Sequence, residues 1–389
     1  MKKIIVRQNQ LPTEIMSTMG CRTANGADIN AVDSYRKNIE SVIRNGVMYD
    51  DVTSAARKDS RGNICPVTII LPTLAMEAKR DVYGEYKIEL SKCILTGIRD
   101  VDASDESIEK SVCSAFMELL DKKIHEAKDQ LIERFEWICS QSPASARFMY
   151  ENGTMYGYKP EEGIRSALKH GTLAMGQLGL AECLQILIGC DHTEPKGMKL
   201  AKKIEGLFKT RCAEFKQQYK LNFGVYYTPS ENLSYTAMLK FKEKYGVIPN
   251  VSDKDYFTNS MHVPVWHKMT PFEKIDLEAQ LTGYSSAGCI TYVEMDSSAK
   301  NNVDAMEELV NYAMDKDIPY FAVNVPIDTC RDCGYQDDIP GDTCPKCGGN
   351  RIQRLRRVTG YITNDYKTAF NYGKQKEVEM RVKHNGIEA

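Results

Sequence analysis

The chain has no apolar run of the ~20 residues that a bilayer-spanning helix needs, so no stretch of it reads as a membrane span. Neither charge is in excess. Lys and Arg number 51 and Asp and Glu 53, for a formal net charge of −2. That balance excludes a whole-chain basic field for nucleic acid or an anionic membrane. Met1–Val6 holds two lysines and a short apolar patch, which Arg7, Gln8 and Asn9 end too soon for a signal peptide. The expected location is cytoplasmic. Only six histidines occur in 389 residues and none has H-E-x-x-H spacing. His262 and His267 straddle an aromatic segment and are not read as metal ligands.

The remaining composition is globular, 42% hydrophobic and 27% charged. The length fits two or three structural units, or one large α/β domain with an appendage. Cysteine is the exception, at 13 residues. Four of these form Cys330-x-x-Cys333 and Cys344-x-x-Cys347, ten residues apart, each pair followed by a glycine. Four thiolates at this spacing indicate a closed, structural zinc site, with two disulfides as the alternative. The other nine are scattered through apolar patterns, as at Cys139, Cys183 and Cys212, and fit reduced thiols.

Periodicity places the main elements. Cys65–Pro72 is a β-branched run that reads as a buried strand. Residues 104–140 repeat apolar side chains at helical spacing, with Ser104 or Asp105 as cap. Residues 195–220 and 302–316 read as helices, and 289–295 and 320–325 as strands. Residues 24–63 are polar and read as a surface insertion without assigned chemistry. In 165–189, Gly171, Ala174, Gly176, Gly179 and Ala181 crowd the middle. Several glycines in a helix would each cost ~1 kcal/mol, so the cluster argues for a close approach by backbone or ligand.

Four stretches could carry chemistry. Gly360 lies in Arg356-Arg357-Val358-Thr359-Gly360-Tyr361-Ile362 among residues that favour extended backbone. It marks either a bulge or close approach, or an α-carbon able to hold an unpaired electron between an amide nitrogen and a carbonyl. Cys21, in Met19-Gly20-Cys21-Arg22-Thr23, is either a small buried hydrophobe or a reactive thiol on a glycine-hinged loop. Thr228-Pro229-Ser230-Glu231-Asn232 suits a capped helix start with Pro229 in the first turn, or the anion site that such a start offers. His170 reads as structural rather than catalytic.

Together these motifs resemble the class III, anaerobic ribonucleoside-triphosphate reductases. The resemblance runs from residue 16 to 384. It rests on M-G-C-R-T, on His170-Gly171-Thr172-Leu173 with Gly176 and Gly179-Leu180-Ala181-Glu182, on T-P-S-E-N-L-S and Asp253–Pro264, and on the four cysteines followed by R-V-x-G-Y. It implies an α/β fold, the C-terminal half of a ten-stranded α/β barrel over 1–325, with a zinc ribbon and glycyl radical loop over 326–389. It also implies a radical on Gly360, made by a separate activase that uses S-adenosylmethionine and an iron–sulfur cluster, and a thiyl on Cys21 with Met19 beside it. Thr228, Ser230, Glu231 and Asn232 would then contact the phosphate or sugar of a ribonucleoside triphosphate. The implied product is a deoxyribonucleotide for DNA replication.

The sequence departs from the family at two points. Ile70 stands where the family carries asparagine in T-I-N-L-P, so formate as reductant rests on Met19 alone. The family also has about as much chain again before the finger loop. That part holds the other barrel strands, a second active-site cysteine, the dimer surface and often an ATP-binding cone. The expectation is therefore a C-terminal piece that works with an N-terminal partner or in a homodimer. The alternatives are an inactive remnant, or a non-enzymatic zinc-ribbon adaptor using Arg351, Arg354, Arg356 and Arg357 as a basic patch.

Overall fold

The computed structural model describes residues 10–11, 14–15, 28–30, 62–96, 105–155, 157–227, 229–358 and 360–384. Five parallel strands build the larger part. β1 (Asn63–Ile70), β2 (Thr172–Leu178) and β3 (Asn222–Val225) form one sheet in that order. β4 (Thr291–Glu294) and β5 (Phe321–Asn324) form a second. A parallel bridge from Tyr226 to Gly288 carries the first sheet toward the second.

Parallel neighbours require long crossovers, and helices supply them. α1 (Leu71–Thr96) and α2 (Asp105–Cys139) join β1 to β2. α3 (Leu180–Ile188) and α4 (Pro195–Tyr219) join β2 to β3. α5 (Leu233–Tyr245) and α6 (Pro271–Thr282) lie between β3 and β4, and α7 (Val303–Asp315) between β4 and β5. The architecture is thus mixed α/β. Among the described residues the strands form an open series.

The strand expected at 65–72 is β1, but it runs over 63–70, only Ile69 of it is buried, and Leu71 and Pro72 already open α1; the helix expected at 104–140 is α2. α2 buries Val112, Phe116, Leu120, Ile124, Leu131 and Phe135 along one stripe. β1 is interrupted where Cys65 takes a left-handed φ of 49° and the register with β2 shifts between Ile64 and Val67. Pro66 cannot donate to a ladder, which suits it to this bulge.

The glycine-rich stretch near 172–178 is a strand, not a helix. Every residue of β2 is buried, as expected for the central strand of a covered parallel sheet. Its flanking glycines permit close approach, as the sequence suggested. A Cβ on Gly171 would lie 2.3 Å from Ile64 Cδ1. Gly179 has φ +78°, and a Cβ there would lie 2.6 Å from Pro72. It therefore turns the chain from β2 into α3 where a side chain has no room.

A smaller antiparallel sheet follows, ordered β9 (Tyr361–Thr363), β8 (Ile352–Val358), β6 (Ile327–Cys330) and β7 (Gln336–Asp337). Val358, Tyr366 and Phe370 form its own small core. α8 (Tyr372–Met380) closes the described chain and leads into the segment 381–384.

The main core also holds ionisable groups. Glu205 on α4 is fully buried, and its Oε1 accepts from Gln177 Nε2 at 2.7 Å. Burial lifts its carboxyl from 4.5 to about 7, against the pull of hydrogen bonds with Gln177 and Tyr227. The folded value lies above the unfolded one, so the folded state holds the extra proton between these values. Stability is then greatest below pH 4.5 and falls as pH rises toward 7, by on the order of 3 kcal/mol from this group. Glu205→Gln keeps the shape and removes the charge. In thermal melts from pH 5 to 7.5 the variant should lose less stability than the native chain, and equal slopes would refute the assignment.

Candidate functional site

Four sulfurs converge at one end of the small sheet. Cys330 Sγ lies 3.6 Å from Cys347 Sγ and Cys333 Sγ 3.7 Å from Cys344 Sγ. All four ligand atoms lie within 4.8 Å of one another, and none is in a disulfide. A tetrahedral metal with ~2.3 Å bonds to sulfur needs S···S edges of about 3.8 Å, so the cluster is already close to the required size. Gly334 and Gly348, at φ +72° and +74°, turn each knuckle so that their amides bond back to Cys330 and Cys344.

Beneath the knuckles lies Asp328, fully buried. It accepts from Arg354 Nη1 at 2.8 Å and from Arg356 Nη1 at 2.6 Å. Arg351 pairs with Asp332, and Arg357 stacks over the Tyr292 ring. The four arginines of the adaptor alternative are thus engaged within the chain and do not form a free basic patch.

β8 and β9 make a hairpin in which Val358 pairs with Tyr361. Gly360 stands in its turn and is exposed. The hairpin is docked on the start of α5. Tyr361 faces Glu231, and burial first, then the charge of Glu231, pushes its phenol above the ordinary range. Asn371 Nδ2 donates to Asn232 Oδ1 at 2.6 Å. A Cβ on Gly373 would lie 2.7 Å from Tyr235 and 2.8 Å from the Asp255 carbonyl, so α8 meets α5 at backbone distance.

Two of the four residues expected to contact substrate, Glu231 and Asn232, thus face the hairpin and the start of α8. Ser230 is buried, and its amide donates to Asn259 Oδ1 at 2.9 Å. Glu231 takes a left-handed φ of 38° and Asn232 is exposed at the head of α5. Thr228, Met19 and Cys21 lie outside the described residues. The helix begins at Leu233, so Pro229 precedes it rather than filling its first turn. The bond to Asn259 holds Ser230 out of helical register.

A buried charge cluster fastens the C-terminal unit to the parallel strands. Arg381 donates to Glu294 at the end of β4 at 2.7 Å, to the Arg357 carbonyl at 2.8 Å and to Glu377 at 3.2 Å. Lys374, fully buried, pairs with Glu377 at 2.7 Å, and burial pulls it below the usual lysine range. His384 exchanges two bonds with Glu294: Nδ1 accepts its amide at 2.9 Å, and the His384 amide donates to its carbonyl. Burial lowers His384 to about 4, which keeps Nδ1 free to accept. A cavity of about 40 Å³ lies between this cluster and Lys274, with Val263, Pro264 and Val265 also in its wall. His262 and His267 pair with Glu278 and Asp191 and do not converge on a metal.

Sequence reasoning missed Asn259, Glu294, Lys374 and Arg381. Only the i, i+3 spacing of Lys374 and Glu377 gave a local signal.

A family profile described as anaerobic ribonucleoside-triphosphate reductase matches residues 2–384. The chain belongs to this family. It is 31% identical over 340 residues to the anaerobic ribonucleoside-triphosphate reductase of Salmonella typhimurium, covering 84% of this chain and 43% of that protein. It is 30% identical over 348 residues to that of Enterobacteria phage T4, covering 87% and 51%. The chain thus spans about half the length of these curated relatives. Among solved structures, an anaerobic ribonucleotide reductase matches at TM-score 0.54 and 19% identity, over 83% of this chain and 45% of that one. The Thermotoga maritima enzyme with glycerol in its active site matches at TM-score 0.51 and 19% identity, over 82% and 45%. These two likenesses concern the fold.

Asp328 offers a direct check on the ribbon. Asp328→Asn leaves two largely buried guanidinium groups without their anion, which costs about 3 kcal/mol. Hydrogen exchange should speed roughly 100-fold in 326–363 and little in β1–β3. Unchanged protection in the ribbon would show that this pairing does not hold it.

Proposed function

We propose that this chain is the C-terminal portion of an anaerobic ribonucleoside-triphosphate reductase and carries its radical glycine. The observation that supports this most is the meeting of the Gly360 hairpin and the α8 start with the Glu231–Asn232 segment, through Tyr361 with Glu231 and Asn371 with Asn232. Two motifs 130 residues apart in sequence, which the same family resemblance assigns to the radical and the substrate, meet at one surface. That surface continues from the C-terminal end of β3, the end at which parallel α/β sheets bind ligands.

In this reading Gly360 Cα holds the unpaired electron because its amide and carbonyl delocalise it and no Cβ crowds the turn. A separate activating enzyme with S-adenosylmethionine and an iron–sulfur cluster generates it. The Cα radical takes a hydrogen atom from the Cys21 thiol, and the Cys21 thiyl takes the 3′ hydrogen of the ribonucleotide. The 2′ hydroxyl then leaves as water, an external reductant supplies two electrons and two protons overall, and Cys21 returns the hydrogen to C3′, which restores its thiyl. The resemblance assigns Met19, two positions before Cys21, to the same site. Thr228, Ser230, Glu231 and Asn232 hold the triphosphate or sugar, with backbone amides available for anion contacts. Cys330, Cys333, Cys344 and Cys347 hold a structural zinc that stiffens the ribbon below the hairpin.

A glycyl radical must be kept from solvent and oxygen, yet Gly360 is exposed and Ile362, Tyr372 and Leu233 near it are exposed hydrophobics. This favours a working enzyme in which an N-terminal reductase half or a second copy covers the face.

Anaerobic activation should give a paramagnetic resonance doublet that Gly360→Ala abolishes; a surviving doublet would move the radical elsewhere. Cys21→Ser should keep the doublet and lose nucleotide reduction by at least 1000-fold, on the scale of removing a reacting group. Purified chain should contain one zinc, and a chain without bound metal would refute that part.

A further inference from the structure

Residues 28–30 fall within the stretch read as a surface insertion, yet Asp28 is buried. Its Oδ2 lies 2.7 Å from His170 Nδ1, and its Oδ1 accepts from Asn222 Nδ2 at 2.7 Å. The neighbouring backbone joins in: the Ile29 amide donates to Asn222 Oδ1 at 2.9 Å, and the Asn30 amide to Asp28 Oδ1 at 2.8 Å. Asn30 Nδ2 donates to the carbonyls of Lys169 at 2.8 Å and Lys220 at 3.0 Å. A short polar segment is thereby tied at several points to chain 139 to 194 residues away.

The place of attachment is specific. Asn222 opens β3 and pairs in register with Thr172, which opens β2 two residues after His170. The contacts thus gather at the N-terminal ends of two adjacent strands, opposite the end that leads to Ser230. His170 is itself held in place, because a Cβ on Gly157 would lie 2.8 Å from its ring. Facing a carboxylate, Nδ1 is the donating nitrogen. The carboxylate takes a donor on each oxygen, so its charge is balanced by hydrogen bonds from the turn before β2 and from the first residue of β3.

The geometry points to a clamp: Asp28, His170 and Asn222 anchor the downstream leg of the segment that carries Cys21, and so set how far its thiol reaches along the sheet. This rests on the radical reading of Cys21. Asp28 follows Cys21 by seven positions. At about 3.3–3.6 Å per residue that tether reaches at most about 25 Å. The seven-residue β2 is about 23 Å long at ~3.3 Å per residue. A chain fixed at the N-terminal ends of the strands thus has the length to bring a thiol to their C-terminal ends, with little to spare. Releasing the anchor would leave the covalent reach unchanged and lose the register. The three side chains act as positioning residues, since none of them needs to touch substrate.

In the activated, complete enzyme, Asp28→Ala should lower kcat roughly 10- to 100-fold, the loss expected when a reacting group shifts by about 1 Å. KM, zinc content and the glycyl doublet should not change, because the substrate segment and the hairpin lie at the other end of the sheet. Alkylation of Cys21 by iodoacetamide, read by mass spectrometry, should speed at least 5-fold while buried Cys183 and Cys212 stay unreactive. His170→Asn places an amide nitrogen where Nδ1 stood and should recover most of the kcat lost in His170→Ala; Asn30→Ala tests the clamp with the carboxylate intact. A kcat and Cys21 alkylation rate equal to wild type in Asp28→Ala would overturn the clamp. So would a loss of the doublet or of zinc in both Asp28→Ala and His170→Asn, since the residues would then serve general folding. If Cys21→Ser retains turnover, the radical reading fails and the clamp falls with it.

Discussion

The arrangement depends on one buried guanidinium. Arg381 holds Glu294 of a parallel strand, Glu377 of the last helix and the carbonyl of Arg357 in the hairpin strand at the same time. The three belong to different elements, one in the parallel strands and two in the C-terminal unit. A buried ion pair contributes little net stability compared with apolar packing, but it penalises every arrangement that leaves a charge unpaired. The value of Arg381 is therefore geometric. It fixes the orientation of a small metal-knuckle unit on a large α/β unit, and the Gly360 turn inherits that orientation.

The two ends of the parallel sheet are treated differently. At the C-terminal ends the chain is irregular and strained. Glu231 and Ser260 have left-handed backbones at φ 38° and 35°, and residues 256–261 are buried without regular structure. Their polar groups are satisfied by specific partners, as when Thr258 donates its amide and hydroxyl to Glu182. Such backbone persists only where the surroundings determine it, and such places are commonly functional. At the N-terminal ends Asp28, Asn30 and Asn222 close on strand ends and loop carbonyls, beside the left-handed Cys65 and Lys220. One end is built to hold and the other to present.

Buried carboxyl groups run through both units, with different charge states. Glu182 and Glu205 have no buried cation and are lifted by burial to about 7. Glu278 and Glu377 are buried as deeply but face Lys274, Lys374 and Arg381, which hold them below the ordinary range. Burial alone raises a carboxyl, and a cation at hydrogen-bonding distance outweighs it. The ionised pairs gather where α6, β4 and α8 meet, beside the hairpin, and the neutral groups lie in the main core.

Much of this protein was legible along the sequence. The knuckles follow from C-x-x-C spacing because four residues and a glycine suffice to aim two thiolates. α2 and α4 follow from helical periodicity, and β1 from its β-branched run, because these preferences are set by residues within a turn or two of one another. The family likeness was legible for the same reason, carried by short motifs in order. The sequence misled where small residues serve packing: the glycines around β2 fit a helix or a strand equally well, and only the neighbouring strands of the sheet choose. It was silent where partners are remote. Nothing local announces that Asp28 belongs with Asn222, 194 residues on, or Glu294 with Arg381, 87 residues on. Hydrogen bonds and ion pairs depend on distance in space. That distance is decided only when the helices pack against the strands and bring the segments together.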